Sequence, residues 1–280
     1  MSRLGTPAAA RGFATTGSGQ PPVVSSVFVT GSASGIGAHT AATLVADGHR
    51  VVLHARDEER AEAARRAVPG AAGVAVGDLA SLTETVALAA EADALGPFDA
   101  AIHNAGVQEV GPRRPVTVDG LERTFQVNVL APYVLVALMA RPDRLVLLTS
   151  GLQAQGEVHL GDLQRAQRPW DGMQAYCDSK LCDVVLAFAL ARRWPGVRTN
   201  AVDPGWIRTR MGGPSAPDDL PEGADTQVWL ATGTDPAADV SGRFFKRRSE
   251  LPANAAASDP EVQDGLVTVC AELSGVPLPP

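Results

Sequence analysis

The chain has 280 residues, 45% of them hydrophobic and 20% charged, which suits one large α/β domain or at most two small ones. A net charge of −7 without a dense basic patch argues against a nucleic-acid partner. No apolar run reaches the ~18 residues of a membrane span, and the three cysteines, Cys177, Cys182 and Cys270, form no metal-ligand or disulfide framework, so no metal is expected and a reducing compartment fits.

Residues 1–24 are rich in Gly, Ala, Ser, Thr and Pro and are expected to be a flexible tail. Arg3 and Arg11 stand there without an acidic residue before Asp47. Organelle import is therefore the alternative to the expected cytoplasmic location. Residues 25–250 are expected to be a single catalytic domain, and 251–280 a C-terminal extension with a short helix at 261–273.

A buried strand is predicted over 23–30. It runs into Thr30-Gly31-Ser32-Ala33-Ser34-Gly35-Ile36-Gly37, followed by a helix over 38–47. Strand, Gly-rich turn and helix form a cradle for a pyrophosphate, held on free N–H groups at the helix start. A second strand, 50–54, ends in Ala55-Arg56, where a carboxylate often holds a ribose hydroxyl. A cation in that place pairs instead with a 2′-phosphate, which points to NADP, with NAD the alternative. Ser32 and His39 are candidate second donors.

Further strands are predicted at 73–76, ending in Gly77-Asp78-Leu79; at 98–103, ending in Asn104-Ala105-Gly106; at 144–149, ending in Ser150; at 198–202, ending in Asp203-Pro204-Gly205; and at 241–246. Helices are predicted between them, one of them over 121–140. This alternation predicts a single doubly wound parallel sheet of the Rossmann type, with helices on both faces. Gly31, Arg56, Asp78, Asn104, Ser150 and Pro204 then share one rim, where ligands bind. The stretch 210–225, rich in Pro, Gly and Asp, is predicted to be a mobile lid. Leu152, Val158, Trp170, Met173, Trp206 and Met211 are candidates to line an apolar pocket, and His39, His49, His54 and His159 are expected to be structural or surface residues.

On the helix that follows, Tyr176 and Lys180 lie four residues apart and share a face. A nearby cation favours the phenolate and lowers the phenol's pKa. Such a group can donate a proton to an alkoxide or take one from an alcohol.

With these residues in place the sequence resembles the short-chain dehydrogenase/reductase family from about residue 25 to 245, and more loosely its retinol dehydrogenase and protochlorophyllide reductase branch. Thr30 to Gly37 matches the family's Gly-rich turn, Asp78 its adenine-contacting Asp, Asn104 to Gly106 its Asn-Ala-Gly, and Asn128, Ser150, Tyr176 and Lys180 its tetrad. The resemblance implies an NAD(P)-dependent oxidoreductase moving a hydride between nicotinamide and a carbonyl or alcohol of a small, hydrophobic substrate. It implies Tyr176 as acid/base, Ser150 on the substrate oxygen, Lys180 on the nicotinamide ribose and Asn128 seating a water. Cofactor contacts are implied at Gly31, Ser32, Ser34, Gly35, Ile36, Gly37, Arg56, Asp78, Leu79, Asn104, Ala105, Gly106, Pro204, Gly205, Ile207 and Thr209. It also implies a homodimer or homotetramer paired through the helices holding Asn128 and Tyr176. The rival readings are a non-catalytic NADP sensor and a sugar-nucleotide epimerase or dehydratase. A sensor would lack the Tyr-Lys pair, and an epimerase would have Gly-x-x-Gly-x-x-Gly.

Overall fold

The computed structural model describes residues 24–109 and 111–280; the expected tail lies outside them except for Val24. One sheet runs through the chain: β1 (Ser26–Val29), β2 (Arg50–Ala55), β3 (Gly73–Val76), β4 (Ala100–His103), β5 (Arg144–Leu148), β6 (Arg198–Val202), β7 (Phe244–Lys246) and β8 (Ser249–Glu250). Its spatial order is β3-β2-β1-β4-β5-β6-β7-β8. Every pairing is parallel except β7 with β8. The order reverses beside β1, so a crevice opens between the ends of β1 and β4, where such sheets bind ligands.

Successive strand residues face opposite sides. Phe28 points into a core shared with α3 (Leu82–Leu95), α5 (Ala131–Leu138), α6 (Gly172–Arg193) and α8 (Pro260–Ser274), where it stacks on Phe98 at 5.5 Å between ring centroids. Its neighbours Val27 and Val29 face a second core with α1 (Gly35–Ala46), α2 (Glu58–Ala67) and α7 (Leu220–Thr232). Each large side chain buried this way contributes about 1.5–3 kcal/mol. Helix α2 shows the local logic. Asp57 caps it by accepting from the Arg60 N–H, Glu58 and Glu59 occupy its positive end, and Arg65 and Arg66 its negative end.

Several expectations change. The helix predicted over 121–140 is not uniform. Helix α4 (Arg123–Phe125) leads into a π-helical turn, Gln126–Leu130, and then into α5. Pro132 in α5 has no N–H to give the carbonyl of Asn128, and a widened turn accommodates it. The stretch 210–225 is not a free lid: α7 begins at Leu220, a parallel bridge joins Ile207 to Asp218, and Arg208 donates to the carbonyls of Ala216 and Pro217. The C-terminal segment is part of the main core. Leu266, Val267 and Cys270 of α8 pack with α6, and the Tyr133 hydroxyl donates to the Val276 carbonyl at 2.9 Å. Among the described residues, no helix is long and apolar enough to cross a membrane.

Candidate active site

The Gly-rich turn closes against the end of β4. Asn104 Nδ2 donates to the carbonyls of Thr30 and Gly31 at 2.9 and 3.3 Å, and the Ala105 N–H donates to Thr30 Oγ1 at 3.0 Å. A Cβ on Gly31 would stand 2.8 Å from Ala105 Cα, and one on Gly37 2.5 Å from the Gly31 carbonyl. Gly31 and Gly35 also hold positive φ, at 64° and 61°. The turn therefore delivers the start of α1 to the crevice. Side-chain caps close α2, α3, α6 and α8, through Asp57, Ser81, Asp171 and Asp259, whereas Ser34 makes no such bond at α1. The first N–H groups of α1 stay available, as a phosphate requires. These residues fit a dinucleotide.

Around that start the predicted contacts are unequal. Arg56 lies exposed past β2, its Nε paired with Asp57 at 3.0 Å. Asp78 accepts from the Ala80 N–H at 2.9 Å, while Leu79 is buried. Ser32 does not offer the donor expected of it. Its hydroxyl is fully buried and donates to the Val29 carbonyl at 2.9 Å, so it builds the turn. Gly205 has φ 98°, and its N–H donates to Asp203 Oδ1; Ile207 is buried, and the Thr209 methyl lies 3.6 Å from a Cβ built on Gly35.

Asn128, Tyr176 and Lys180 cluster near the carboxyl ends of β4 and β5, and Ser150 lies just past the end of β5. Lys180 Nζ donates to the Leu148 carbonyl at 3.0 Å, two residues before Ser150, and sits 5.7 Å from the centroid of the half-buried Tyr176 ring. Ser150 Oγ accepts from the Leu152 N–H at 3.2 Å. Asn128 is buried in the π turn. Its Nδ2 donates to the Val107 carbonyl and to Ser179 Oγ, and its Oδ1 accepts from the Val107 N–H at 2.8 Å. A Cβ on Gly106 would meet both Asn128 Oδ1 and Lys180 Nζ at about 3.5 Å, so Gly106 keeps these two side chains and the β4 turn in one cluster.

The family model for short chain dehydrogenase matches residues 25–219, the span that holds the Gly-rich turn and the Tyr176–Lys180 pair. The chain belongs to the short-chain dehydrogenase family. It is an oxidoreductase of that family. An uncharacterized oxidoreductase from Emericella nidulans is 41% identical, over 90% of this chain and 98% of its own. Retinol dehydrogenase 13 from Homo sapiens is 31% identical, over 90% and 85%, in keeping with the branch the motifs resemble. A blue fluorescent protein from a metagenomic library, solved in complex with NADPH, aligns with a TM-score of 0.64 at 27% identity, over 79% and 95%.

The electrostatics of this short-chain dehydrogenase differ from the expectation. Burial raises the Tyr176 phenol above its ordinary value; Lys180 pulls it down, while Asp183 and Asp203 push it up. The expected lowering by Lys180 is outweighed. Burial is the largest cause, and Asp183, which sequence reasoning missed, adds to it: its Oδ2 lies 2.7 Å from Lys180 Nζ, with both side chains buried. Only its i+3 spacing from Lys180 could have signalled the pair.

His54 was expected among structural or surface residues and is structural, with a position that matters. It is buried on β2, its Nδ1 accepting from the Gly31 N–H at 3.0 Å and its Nε2 lying 2.9 Å from the Gly77 carbonyl. These partners require a neutral ring, and burial holds its pKa below the ordinary value. His103 is also buried, its Nδ1 without a partner among the described residues, and burial with the neighbouring His54 lowers it from 6.5 to about 4. A depressed folded pKa gives stability that is present above 6.5 and lost as pH falls toward 4. The melting temperature is expected to drop steadily over that window, and His103→Leu should flatten the drop. An unchanged slope in the variant would assign the loss elsewhere.

Proposed function

We propose that this short-chain dehydrogenase is an NADP(H)-dependent oxidoreductase acting on a carbonyl or alcohol of a small, hydrophobic substrate, with Tyr176 as acid/base. The observation carrying this reading is the coexistence, on one rim, of the uncapped start of α1 and the Tyr176–Lys180 pair. The nicotinamide supplies or accepts the hydride when bound. The protein's part is to hold and move a proton. Tyr176 exchanges one with the substrate oxygen, Ser150 orients that oxygen by a hydrogen bond, and Lys180 and Asn128 fix the surroundings of the phenol. Gly31 to Gly37, Asp78, Leu79, Asn104 to Gly106, Pro204, Gly205, Ile207 and Thr209 are proposed to shape the cofactor cleft.

An apolar substrate is supported by Met173, Trp206 and Met211, which expose 47%, 55% and 50% of their surface, with Met173 one turn before Tyr176. Val158 and Leu160 instead pack against the core. Retinol dehydrogenase 13 is named for an apolar alcohol. Self-association through the helices holding Asn128 and Tyr176 is proposed for the faces that α8, which packs with α6, leaves open.

The NADP preference rests on Arg56, whose ion pair with Asp57 uses Nε and leaves the Nη groups as donors. The NADPH-bound structural neighbour lends it support. A charge-assisted hydrogen bond contributes about 1.5–3 kcal/mol. Arg56→Ala is therefore expected to weaken NADPH binding by roughly one to two orders of magnitude and to leave NADH nearly unchanged, while Ala55→Asp should reverse the preference. Calorimetric titration with each dinucleotide checks this. Equal losses for both cofactors would make Arg56 a solvated residue at a strand end.

A further inference from the structure

We propose that Asp183 is a positioning residue that closes the Lys180 ammonium into a neutral buried pair, keeps Tyr176 in its protonated form and so poises the site for carbonyl reduction. This rests on the reading of Tyr176 as the proton donor.

The geometry leaves Lys180 little freedom. Its Nζ donates to Asp183 Oδ2 at 2.7 Å and to the Leu148 carbonyl at 3.0 Å, and the two side chains are 6% and 3% exposed. Asp183 has no other hydrogen-bonding partner among the described residues, so the carboxylate and the ammonium answer chiefly to each other. The groups that act on Tyr176 are Lys180, Asp183 and Cys177 from its own helix and Asp203 from the end of β6. Asp203 is itself paired with Lys246 of β7 at 2.9 Å. Each charge near the phenol is thus matched by its opposite. A bare Lys180 would favour the phenolate; a Lys180–Asp183 pair largely cancels that pull.

The neutral phenol is the form that reduction needs. A bound reduced nicotinamide would supply the hydride, with its electron pair, to the carbonyl carbon; as the C=O π bond broke, Tyr176 would give its proton to the oxygen, and the phenolate would regain one from solvent. The carbonyl is reduced and the nicotinamide oxidised. Oxidation of an alcohol starts from the phenolate, which the Asp183 charge disfavours.

The chain offers its own probe, because it holds only two tyrosines. Tyr133 is pushed up to about 12 by burial. The phenolate band that disappears in Tyr176→Phe is the one that belongs to Tyr176, and that band is followed as pH rises. Asp183→Asn is expected to bring that band in about one pH unit or more lower than in the unsubstituted protein. An unchanged or higher onset overturns the proposal. If Asp183→Asn does not fold, the paired variant Lys180→Met/Asp183→Leu serves, because it removes both charges together. If the two cancel, the phenolate onset should stay within about half a unit of the unsubstituted protein. A rise of about one unit or more would show that Lys180 had been acting uncancelled, and would overturn the proposal. Turnover of Tyr176→Phe with NADPH and a panel of carbonyl compounds is read separately. Retained activity there removes Tyr176 as donor, while the titration still reports whether Asp183 governs its proton.

Discussion

Replacing Tyr176 by Phe is expected to lower turnover by roughly 10²- to 10⁴-fold, the usual contribution of a positioned general acid, while fold and cofactor affinity stay intact. Among the described residues the Tyr176 hydroxyl has no hydrogen-bonding partner within the protein, and the ring is half-buried beside Lys180. Removing the oxygen therefore orphans no buried group and opens no cavity, so stability should change by less than about 1 kcal/mol. Stopped-flow measurement of nicotinamide oxidation, with a melting curve and a cofactor titration on the same sample, separates the effects. Activity within a few-fold of the unsubstituted enzyme would remove Tyr176 as the acid.

The second large effect is expected at Gly37. An added methyl would stand 2.5 Å from the Gly31 carbonyl and would collide with Asn104 Nδ2 as well. Neither neighbour can yield cheaply. The carbonyl is backbone at a residue already held at φ 64°, and Asn104 ties the end of β4 to the turn through Thr30. Overpacking of this kind costs about 1–3 kcal/mol. It also tilts the first turn of α1, and each misplaced N–H to a phosphate forfeits a charge-assisted bond of about 1.5–3 kcal/mol. Gly37→Ala should thus weaken dinucleotide binding by about 100-fold or more in a folded protein. Calorimetry on Gly37→Ala beside Gly196→Ala supplies the contrast, since a Cβ at Gly196 meets nothing within 4 Å and its backbone holds no positive φ. Comparable binding by both variants would mean that the turn does not seat the cofactor.

What was legible in the sequence was whatever repeats along it. Apolar runs alternating with Ala-rich helices gave the parallel sheet, and Gly31, Gly35 and Gly37 gave the turn because only backbone crowding and positive φ explain them. Tyr176 and Lys180 were readable through their i+4 spacing. What escaped depends on partners distant in sequence or on local irregularity. Asp183 reads as one more polar position on a helix until burial shows it has only Lys180 to face. His54 becomes a clamp only once β1 and β2 lie side by side. The π turn at Gln126–Leu130 is hidden inside a helical apolar pattern. Pro221 and Gly223 suggested a loop, yet Pro is tolerated in the first turn of a helix, and α7 begins there. Strand β8, Ser249–Glu250, is too short to leave a period.

That last hairpin has a consequence for the mouth of the site. Its two turn residues, Arg247 and Arg248, both hold left-handed backbone, at φ 50° and 57°, a conformation that costs a non-Gly residue about 1 kcal/mol or more. That backbone turns Arg247 back toward the loop that follows β6 and Arg248 toward α7. Arg247 reaches Asp218 at 2.8 Å, Arg248 grips Asp225, and beside them Lys246 reaches Asp203 at 2.9 Å. The segment carrying Trp206 and Met211 is thus fastened by ion pairs in addition to the Ile207–Asp218 bridge and the buried Ile207 and Ala216. Such pairs are individually weak and screened by dissolved ions. Dissolved salt is then expected to weaken the ionic part of this fastening, while the Ile207–Asp218 bridge and the buried Ile207 hold.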